Sequence, residues 1–279
     1  MLRIALPNKG ALSEAAGRML VEAGYRQRRV TKDLTATDSA NRVQFFYLRP
    51  RDIATYVASG DLDLGITGRD LLVDSGADAE ELLALGFGAS TFRYAGRPGT
   101  TVEDLAGSRI ATSFPGIVER DLRAAGRTAS VIRLDGAVEN AVSLGVADVV
   151  ADVVETGATL RQAGLEVFGE PIMASEAVLI RRTGADDDPR VQPVLRRLQG
   201  VLVARSYVML AYDVRAESME RAVSLTPGIE SPTVSPLHRE GWVAVQSMTP
   251  RAEVHRIMDE LYAIGARGIL VTDILACRI

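Results

Sequence analysis

The segment that most constrains the fold lies at residues 147–160, ADVVADVVETGATL, where a β-branched run leads into a turn around one glycine. The valines favour a buried strand, and Gly157 between two threonines is typical of a strand-to-helix turn. Such a turn presents several backbone N–H groups to one anion, and the hydroxyls of Thr156 and Thr159 can add donors. The segment therefore predicts a phosphate-binding loop in an α/β protein, although an ordinary strand, turn and helix cap would give the same pattern.

Acidic side chains surround this predicted phosphate loop. Asp152 lies in the strand and Glu155 opens the turn, while Asp135 and Glu139 surround another turn one strand earlier. Carboxylates beside an anion indicate that a cation or sugar hydroxyls lie between them. We therefore expect a phosphorylated sugar bound with Mg²⁺. For Asp135 and Glu139 the alternative is a helix start, where the helix dipole favours acidic residues.

Short apolar strands alternate with amphipathic helices through the first two thirds of the chain. Strands are predicted at residues 2–6, 43–48, 62–67, 92–95, 109–113, 130–134 and 176–181. Open α/β sheets bind ligands at the carboxyl ends of their strands, so the turns that follow the strands are candidate sites. Lys9 follows the first strand, and Arg69 and Asp70 follow the strand at 62–67. A helix-capping turn and a tight glycine turn are the structural alternatives at these two places.

The residues after 206 follow a different pattern. Strands predicted at 207–214, 233–235, 242–248 and 268–274 alternate with helices at 217–225 and 250–265, in the order βαββαβ. This is the ferredoxin-like plan, which often binds small ligands or pairs at its edges. A purely structural C-terminal domain is the alternative.

Composition argues against several classes of function. The net charge of −4 and the pI near 5.4 are unlike those of general nucleic-acid-binding proteins. With one cysteine and two histidines, the chain is not expected to hold a transition metal on His/Cys ligands. No apolar run approaches the roughly 20 residues that span a bilayer, and the N-terminus lacks a signal-peptide pattern. We therefore expect a cytoplasmic protein with neither a membrane nor a nucleic acid as partner.

Four segments together resemble the long form of ATP phosphoribosyltransferase, the first enzyme of histidine biosynthesis. They are LRIALPNKG, LDLGITGRDLL, LDGAVENAVSLGVADVVADVVETGATL and GIESPTVSPL…IGARGILVTDI. The resemblance runs from end to end, and the long central motif is its most specific part. Glu155 departs mildly from the family pattern, which has a small or polar residue at that position.

The resemblance implies a two-lobed catalytic part on the periplasmic-binding-protein plan, with the active site in the cleft, and a C-terminal ferredoxin-like regulatory domain. Residues 1–90 and 176–205 would form lobe I. Residues 91–175 would form lobe II with the phosphate loop, and residues 206–279 the regulatory domain. The reaction it implies joins ATP to 5-phosphoribosyl 1-diphosphate, with Mg²⁺ carried mainly by the substrate.

The resemblance also assigns roles to the candidate residues. The loop residues Thr156, Gly157, Ala158 and Thr159 would bind the 5-phosphate. Glu155 is expected to be a further substrate-binding residue. Asp135, Glu139 and Asp152 would meet ribose hydroxyls or the cation. The nucleotide or diphosphate would contact Lys9, Arg49, Arg69 and Asp70. The expected catalytic acids are Glu139, Asp152 and Asp70.

Regulation is implied in the same way. L-histidine would inhibit the enzyme by binding Asp213, Ser231, Thr233 and Gly268, AMP is a further expected ligand, and a homo-oligomer, dimer or hexamer, is expected. Two other hypotheses remain open. A bilobed solute-binding or effector-sensing protein would share the fold but would normally carry a secretion signal or a DNA-binding motif. A regulatory amino-acid-binding protein without catalysis would have no use for the phosphate loop.

Overall fold

The computed structural model describes residues 1–27 and 34–278. The last residue of the expected regulatory domain therefore lies outside the described residues. The chain forms two compact units, one of Met1–Arg18 with Tyr25–Asp188 and the other of Met19–Gly24 with Pro189–Ile279. The second unit starts before residue 206, because the helix Val191–Ser206 groups with the residues that follow it.

The first unit contains two sheets, and the first of them has six strands in the order β2-β3-β1-β4-β11-β5. Its elements are β1 Leu2–Pro7, α1 Ala11–Glu22, β2 Thr35–Asp38, β3 Val43–Leu48, α2 Pro50–Ala58, β4 Leu64–Gly68, α3 Arg69–Ser75, β5 Ala79–Ala84 and β11 Ala177–Arg182. β1 pairs in parallel with β3 and β4, whereas β11 runs antiparallel to β4 and β5. β4 is buried along its whole length, as expected for a strand in the middle of a covered sheet.

The second sheet has five strands in the order β10-β6-β9-β7-β8. Its elements are β6 Ser90–Gly96, β7 Arg109–Thr112, α4 Pro115–Ala124, β8 Ser130–Arg133, α5 Asn140–Ser143, β9 Val149–Val154, α6 Ala158–Gln162 and β10 Glu166–Ser175. β7 pairs in parallel with β8 and β9, and β6 is antiparallel to β9 and β10. Phe92 and Phe114 meet edge to face in its core, with ring centroids 5.4 Å apart.

The chain thus crosses from the first sheet to the second at β6 and returns between β10 and β11. Two α/β lobes joined by two crossings confirm the predicted bilobed plan. None of the described helices is both long enough and apolar enough to cross a membrane.

The second unit contains a four-stranded antiparallel sheet in the order β13-β14-β12-β15. Its elements are α7 Val191–Ser206, β12 Tyr207–Arg215, α8 Met219–Leu225, β13 Thr233–Pro236, β14 Trp242–Pro250, α9 Val254–Ala263 and β15 Arg267–Asp273. Alternate residues of β12, from Val208 to Val214, are buried against α8 and α9. From β12 to β15 the element order is βαββαβ, which confirms the ferredoxin-like plan.

Three strands escaped the sequence patterns. β2 is only TATD, and β10 carries Gly169 and Pro171, where its pairing with β6 is irregular. β5, AEELLA, has helix-forming residues but lies at the edge of the sheet beside β11. Pairing with a neighbouring strand decides these elements, and for β5 and β10 that strand is far away in the sequence, so local propensity does not show it.

Candidate active site

A cavity of about 650 Å³ opens where the two lobes of the first unit meet. Its lining brings together Lys9, Arg49, Pro50, Arg51, Asp52, Leu71, Ser113, Phe114, Arg133, Asp135 and Gly136. Each charged residue follows or ends a parallel strand, or opens the helix after it: β1, β3 or β8. The carboxyl ends of parallel strands meet at one edge, so residues distant in sequence converge there. The cavity is predominantly cationic and suits a polyanion.

Two of the predicted substrate-binding residues lie in strand-to-helix turns. Arg49 lies between β3 and α2 with an extended backbone, φ −64° and ψ 134°, and Pro50 starts the helix. Proline suits this first helical position because its fixed φ is already helical and no N–H is lost to the ladder. Lys9 occupies the turn after β1. The structure therefore brings Lys9, Arg49 and Asp135 to one cavity.

Asp70 lies in the first turn of α3 and is almost completely buried. Its Oδ1 accepts the Leu71 N–H at 2.8 Å, and its own N–H donates to Ser175 Oγ at 3.0 Å. Burial raises the pKa of the Asp70 carboxyl, against the lowering effects of the Leu71 N–H, the Ser175 hydroxyl and the Arg51 charge. A Cβ at Gly68 would overlap this carboxylate, so the glycine makes room for it.

Asp152 lies on β9 of the other lobe, within electrostatic reach of Asp70. Its Oδ1 accepts the Val153 N–H at 2.8 Å. Burial raises the pKa of Asp152, and the charges of Glu139 and Asp70 raise it further, while the Val153 N–H and Arg51 lower it. Glu139 and Asp70, the other two expected catalytic acids, thus both lie within electrostatic reach of Asp152.

The predicted phosphate loop lines a separate, smaller cavity of about 250 Å³, formed by Val153 to Leu160. Gly157 has φ +69°, a left-handed conformation that disfavours any residue with a Cβ. The Ala158 N–H points to Thr156 Oγ1 at 3.4 Å. Glu155, Thr156, Ala158 and Thr159 are exposed, so their polar groups are open to a ligand.

Comparison with known proteins places this geometry in a family. The ATP phosphoribosyltransferase family matches residues 49–200, and its C-terminal domain family matches residues 204–276. An ATP phosphoribosyltransferase from Salinispora tropica is 68% identical, and one from Streptomyces avermitilis is 66% identical, with 100% of both chains covered in each case. This chain belongs to the ATP phosphoribosyltransferase family.

A solved structure agrees with this assignment. A chain of the ATP phosphoribosyl transferase (HisG:HisZ) complex from Thermotoga maritima superposes with a TM-score of 0.64 at 28% identity, covering 72% of this chain and 98% of that one. The predicted resemblance is therefore confirmed. As a member of the ATP phosphoribosyltransferase family, the chain is an enzyme of the glycosyltransferase type that serves histidine biosynthesis.

Among the described residues, those that line the larger cavity do not include Arg69. Its guanidinium binds Glu81 through two hydrogen bonds of 2.8 Å and Glu176 at 3.3 Å. These carboxylates raise the pKa of Arg69. The side chain thus links α3, β5 and the segment before β11, and a role in binding diphosphate would require it to exchange these partners.

Three basic residues near the ligand cavities were not among the sequence candidates. Arg51 and Arg133 line the larger cavity. Arg161 lies beside the phosphate loop, since a Cβ at Gly157 would be 3.1 Å from its Nη1. Arg161 follows the threonine turn by two residues, a spacing that could have indicated it. Arg51 gave no comparable signal, because its partners lie far along the chain.

In the second unit, the residues expected to bind histidine fall partly together. A Cβ at Gly268 would be 3.4 Å from Asp213 Oδ2, so these two residues adjoin. Thr233 lies on β13, separated from β12 and Asp213 by β14. The strand register puts Asp213 and Thr233 on the sheet face opposite the one that α8 and α9 cover. Ser231 precedes β13 and is exposed.

Proposed function

We propose that this chain condenses ATP with 5-phosphoribosyl 1-diphosphate to give N1-(5-phosphoribosyl)-ATP and diphosphate, the first step of histidine biosynthesis. The observation that carries the proposal is the cationic cavity where the two lobes meet. The acids Asp70 and Glu139 lie within electrostatic reach of Asp152, which supports it further. Both substrates combine phosphates with ribose hydroxyls. Cations suit the phosphates, and carboxylates suit the hydroxyls.

The reaction requires the protein to position its two substrates and does not require a strong nucleophile from the protein. Adenine N1 attacks the anomeric carbon as the bond to diphosphate breaks, so positive charge spreads over the ribose ring and negative charge grows on the leaving group. Lys9, Arg49 and Arg51 would stabilise the departing diphosphate. Asp152 and Glu139 would accept hydrogen bonds from ribose hydroxyls and stabilise the cationic ring. The phosphate loop at 156–159 would hold the 5-phosphate.

Mg²⁺ is proposed as the cofactor, and the acids of the site could supply one or two of its ligands. Among the described residues, no group of three or more His, Cys, Asp or Glu side chains is arranged to hold a metal ion. One or two carboxylates remain available, which is how Mg²⁺ is usually held when substrate phosphates supply the other ligands. Asp152 and Glu139 are the residues that would reach it. When bound, Mg²⁺ would neutralise the charge of the leaving diphosphate.

The remaining expectations are part of the same proposal. L-histidine would inhibit the enzyme through Asp213, Gly268, Thr233 and Ser231, and AMP would be a further ligand. The proposal keeps residues 1–90 with 176–205, 91–175 and 206–279 as the functional domains, and places a homo-oligomer, a dimer or hexamer, in the cytoplasm. The family resemblance supports the regulatory ligands, the domains and the homo-oligomer.

The decisive experiment incubates the full chain with ATP, 5-phosphoribosyl 1-diphosphate and Mg²⁺. Formation of N1-(5-phosphoribosyl)-ATP is followed by absorbance, and diphosphate release by phosphorus NMR. Ligand binding without consumption would favour the solute-binding hypothesis instead.

The acids can be tested in the same assay with Glu139→Gln and Asp152→Asn, which keep the volume and remove the charge. We expect kcat to fall at least about tenfold in each, with little change in stability, because the acids act mainly in the transition state. Glu119→Gln, an exposed position in α4, is the matched control and should behave as the parent. Normal turnover in both active-site variants would contradict the assigned role.

A further inference from the structure

One carboxylate joins the two lobes beside the cavity. Asp74 lies near the end of α3, and only 10% of its side chain is exposed. Its Oδ2 accepts a hydrogen bond from Arg51 Nη1 at 3.1 Å. Its Oδ1 accepts the Gly116 N–H at 2.8 Å and the Ile117 N–H at 3.4 Å, both at the start of α4 in the second lobe. A single side chain thus ties α2 and α3 of one lobe to α4 of the other.

Arg51 is held from a second side as well. Its guanidinium carbon lies 4.5 Å from the centroid of the Phe114 ring, which is nearly buried. A cation over an aromatic face is attracted to it, and a carboxylate partner fixes the direction of the guanidinium plane. Both contacts leave Arg51 in the lining of the cavity. Its charge opposes the effect of burial on the pKa of Asp70 and of Asp152, so it lies within reach of both acids.

The contact between α3 and α4 at Gly116 is too close to accommodate a side chain. A Cβ at this position would overlap the backbone carbonyl oxygen of Asp74. Its backbone does not have a positive φ, so the requirement for glycine comes from this contact and not from the turn. The lobes could not keep the Asp74 contacts with a larger residue here.

We propose that Asp74 is a positioning residue that spans the two lobes and holds the Arg51 guanidinium in place to bind a polyphosphate. The inference rests on the proposed function only in taking the cavity as a polyphosphate site. Asp74 itself would touch no substrate. Its effect would pass through Arg51, and that distinguishes it from a residue that merely stabilises the lobe contact.

Inorganic pyrophosphate with Mg²⁺ is a suitable probe, and its binding to the full chain can be measured by calorimetry. In Asp74→Asn the amide oxygen can still accept the Gly116 N–H, while the amide NH₂ cannot accept from Arg51. We expect Asp74→Asn and Arg51→Met each to weaken pyrophosphate binding by roughly tenfold or more, the loss of one charge-assisted contact. The double variant should bind no more weakly than Arg51→Met alone, because Asp74 acts through Arg51.

Asp148→Asn is the matched control. Asp148 also binds a guanidinium and a backbone N–H, both of Arg109, but it precedes β9 and so lies at the opposite end of that strand from the phosphate loop. Pyrophosphate binding should not change in this variant. If Asp74→Asn folds poorly, Gly116→Ala is a second test. It disturbs the contact between α3 and α4 but does not replace either charged side chain. It should weaken binding in the parent and leave the Arg51→Met variant unaffected.

The outcomes separate this inference from the proposed function. Parent-like binding in Asp74→Asn, losses that multiply in the double variant, or a parent that does not bind pyrophosphate would each overturn the positioning role. If Asp74→Asn does not fold, the Gly116→Ala variant decides. The positioning role would be overturned if Gly116→Ala bound pyrophosphate like the parent, or if Gly116→Ala weakened pyrophosphate binding as much in the Arg51→Met variant as in the parent. A parent that binds pyrophosphate but makes no product from ATP and 5-phosphoribosyl 1-diphosphate would overturn the proposed function and leave the inference standing.

Discussion

Two carboxylates from different lobes, the buried Asp70 and the half-buried Asp152, lie within electrostatic reach of each other. Burial disfavours their ionised forms, and each raised pKa reflects that cost. Arg51 offsets it in part. Ionised acids in such a place stabilise a cationic ribose ring better than solvated ones, because the surrounding dielectric constant is low. The arrangement is useful for catalysis and costs stability.

Asp70→Asn should therefore stabilise the protein at neutral pH while reducing its activity. With a pKa above the ordinary 3.8, folded Asp70 holds its proton more tightly than unfolded Asp70 does. The free energy of unfolding then decreases as the pH rises from the ordinary pKa through the raised one, and the loss persists above it. Thermal unfolding from pH 3 to 8 measures this, and we expect the decrease to be smaller in the variant.

Asp148→Asn is a control in which the free energy of unfolding should depend on pH in the opposite direction. The Arg109 guanidinium lowers the pKa of Asp148 to about 2, so its stabilising contribution is present at neutral pH and is lost as the pH falls toward that value. The pair is exposed, so the change should be small. A loss of stability in Asp70→Asn at neutral pH would contradict the interpretation of its burial.

The phosphate loop makes a separate prediction at the residue scale. Thr159→Ala should raise the KM for 5-phosphoribosyl 1-diphosphate by roughly tenfold or more, since a hydrogen bond to a charged group contributes about 1.5–3 kcal/mol. Gly157→Val should impair the same step more strongly, because φ at this position is +69°. Steady-state kinetics measure both. Thr128→Ala, at an exposed position of the same lobe, is the control, and an unchanged KM in both loop variants would refute the assignment.

Among the elements, α2 does most to shape the cavity, because its first turn and the residue before it carry Arg49, Arg51 and Asp52. The helix packs closely on β4, where Gly65 leaves room for Ile53 and Val57. Ile53, Ala54 and Val57 are fully buried, and Thr67 Oγ1 of β4 donates to the Pro50 carbonyl at 2.9 Å. The strand thus holds both the apolar face and the beginning of α2, and through them the cationic wall of the site.

Gly65→Ala in β4 tests this packing. A Cβ there would be 2.5 Å from Ile53 Cγ2 and 3.0 Å from Val57 Cγ2, so α2 must shift. We expect a loss of about 1–3 kcal/mol in the free energy of unfolding, typical of an overpacked core, together with a higher KM for the substrates. Denaturant unfolding and kinetics measure the two effects.

Gly17→Ala in α1 is the control, since its Cβ would meet only Gln27 Oε1 at an ordinary 3.7 Å. It should stabilise the protein by roughly 0.5–1 kcal/mol, as alanine does in place of a helical glycine. Equal stability losses in the two variants would show that the close approach of α2 to β4 is unimportant.

At the scale of the whole molecule, the chemistry and the proposed regulation occupy different compact units. The sheet of the second unit packs one face on α8 and α9, while Asp213 and its neighbour Gly268 belong to the other face. Histidine bound to the second unit would affect the cavity of the first unit by favouring one global state of the protein over another.

Asp213→Ala in the full chain should abolish most inhibition by millimolar histidine and leave turnover without histidine unchanged. The carboxylate would bind the ligand's ammonium or imidazole group, and its loss should raise the inhibitory concentration by roughly tenfold or more. Inhibition curves measure the change. Asp259→Ala, an exposed position on α9, is the control. If the parent ignores histidine, or if both variants are inhibited like the parent, the regulatory proposal is wrong and the catalytic one is unaffected.

Much of the framework follows from local patterns in the sequence. The valine run of β9, the glycine–threonine turn after it and the turns after β1, β3 and β4 all act over a few residues, so the sequence predicted them. The ferredoxin-like order followed in the same way. Because the carboxyl ends of parallel strands meet at one edge, the turns after the strands were candidate sites, and Lys9 and Asp135 lie in two of them. Arg49 was added by the family resemblance.

Other features required the tertiary structure. β5 has helix-forming residues but becomes a strand beside β11, where Glu80 pairs with Arg181 at 2.6 Å. Arg69 looked like a free cation at a strand end, yet its carboxylate partners come from residues 81 and 176. Such contacts join residues far apart in the chain, so no local pattern reveals them.

Arg51 and Asp74 show the same division most clearly. Locally, Arg51 resembles a surface residue at a helix start, and Asp74 one at a helix end. Only the approach of the two lobes brings the Gly116 N–H and the Phe114 ring to them. The sequence determined which elements form and which turns can bind an anion, because propensity and turn chemistry act locally. The packing of the lobes decided which cations and acids face one another, because that depends on contacts between segments distant in the chain.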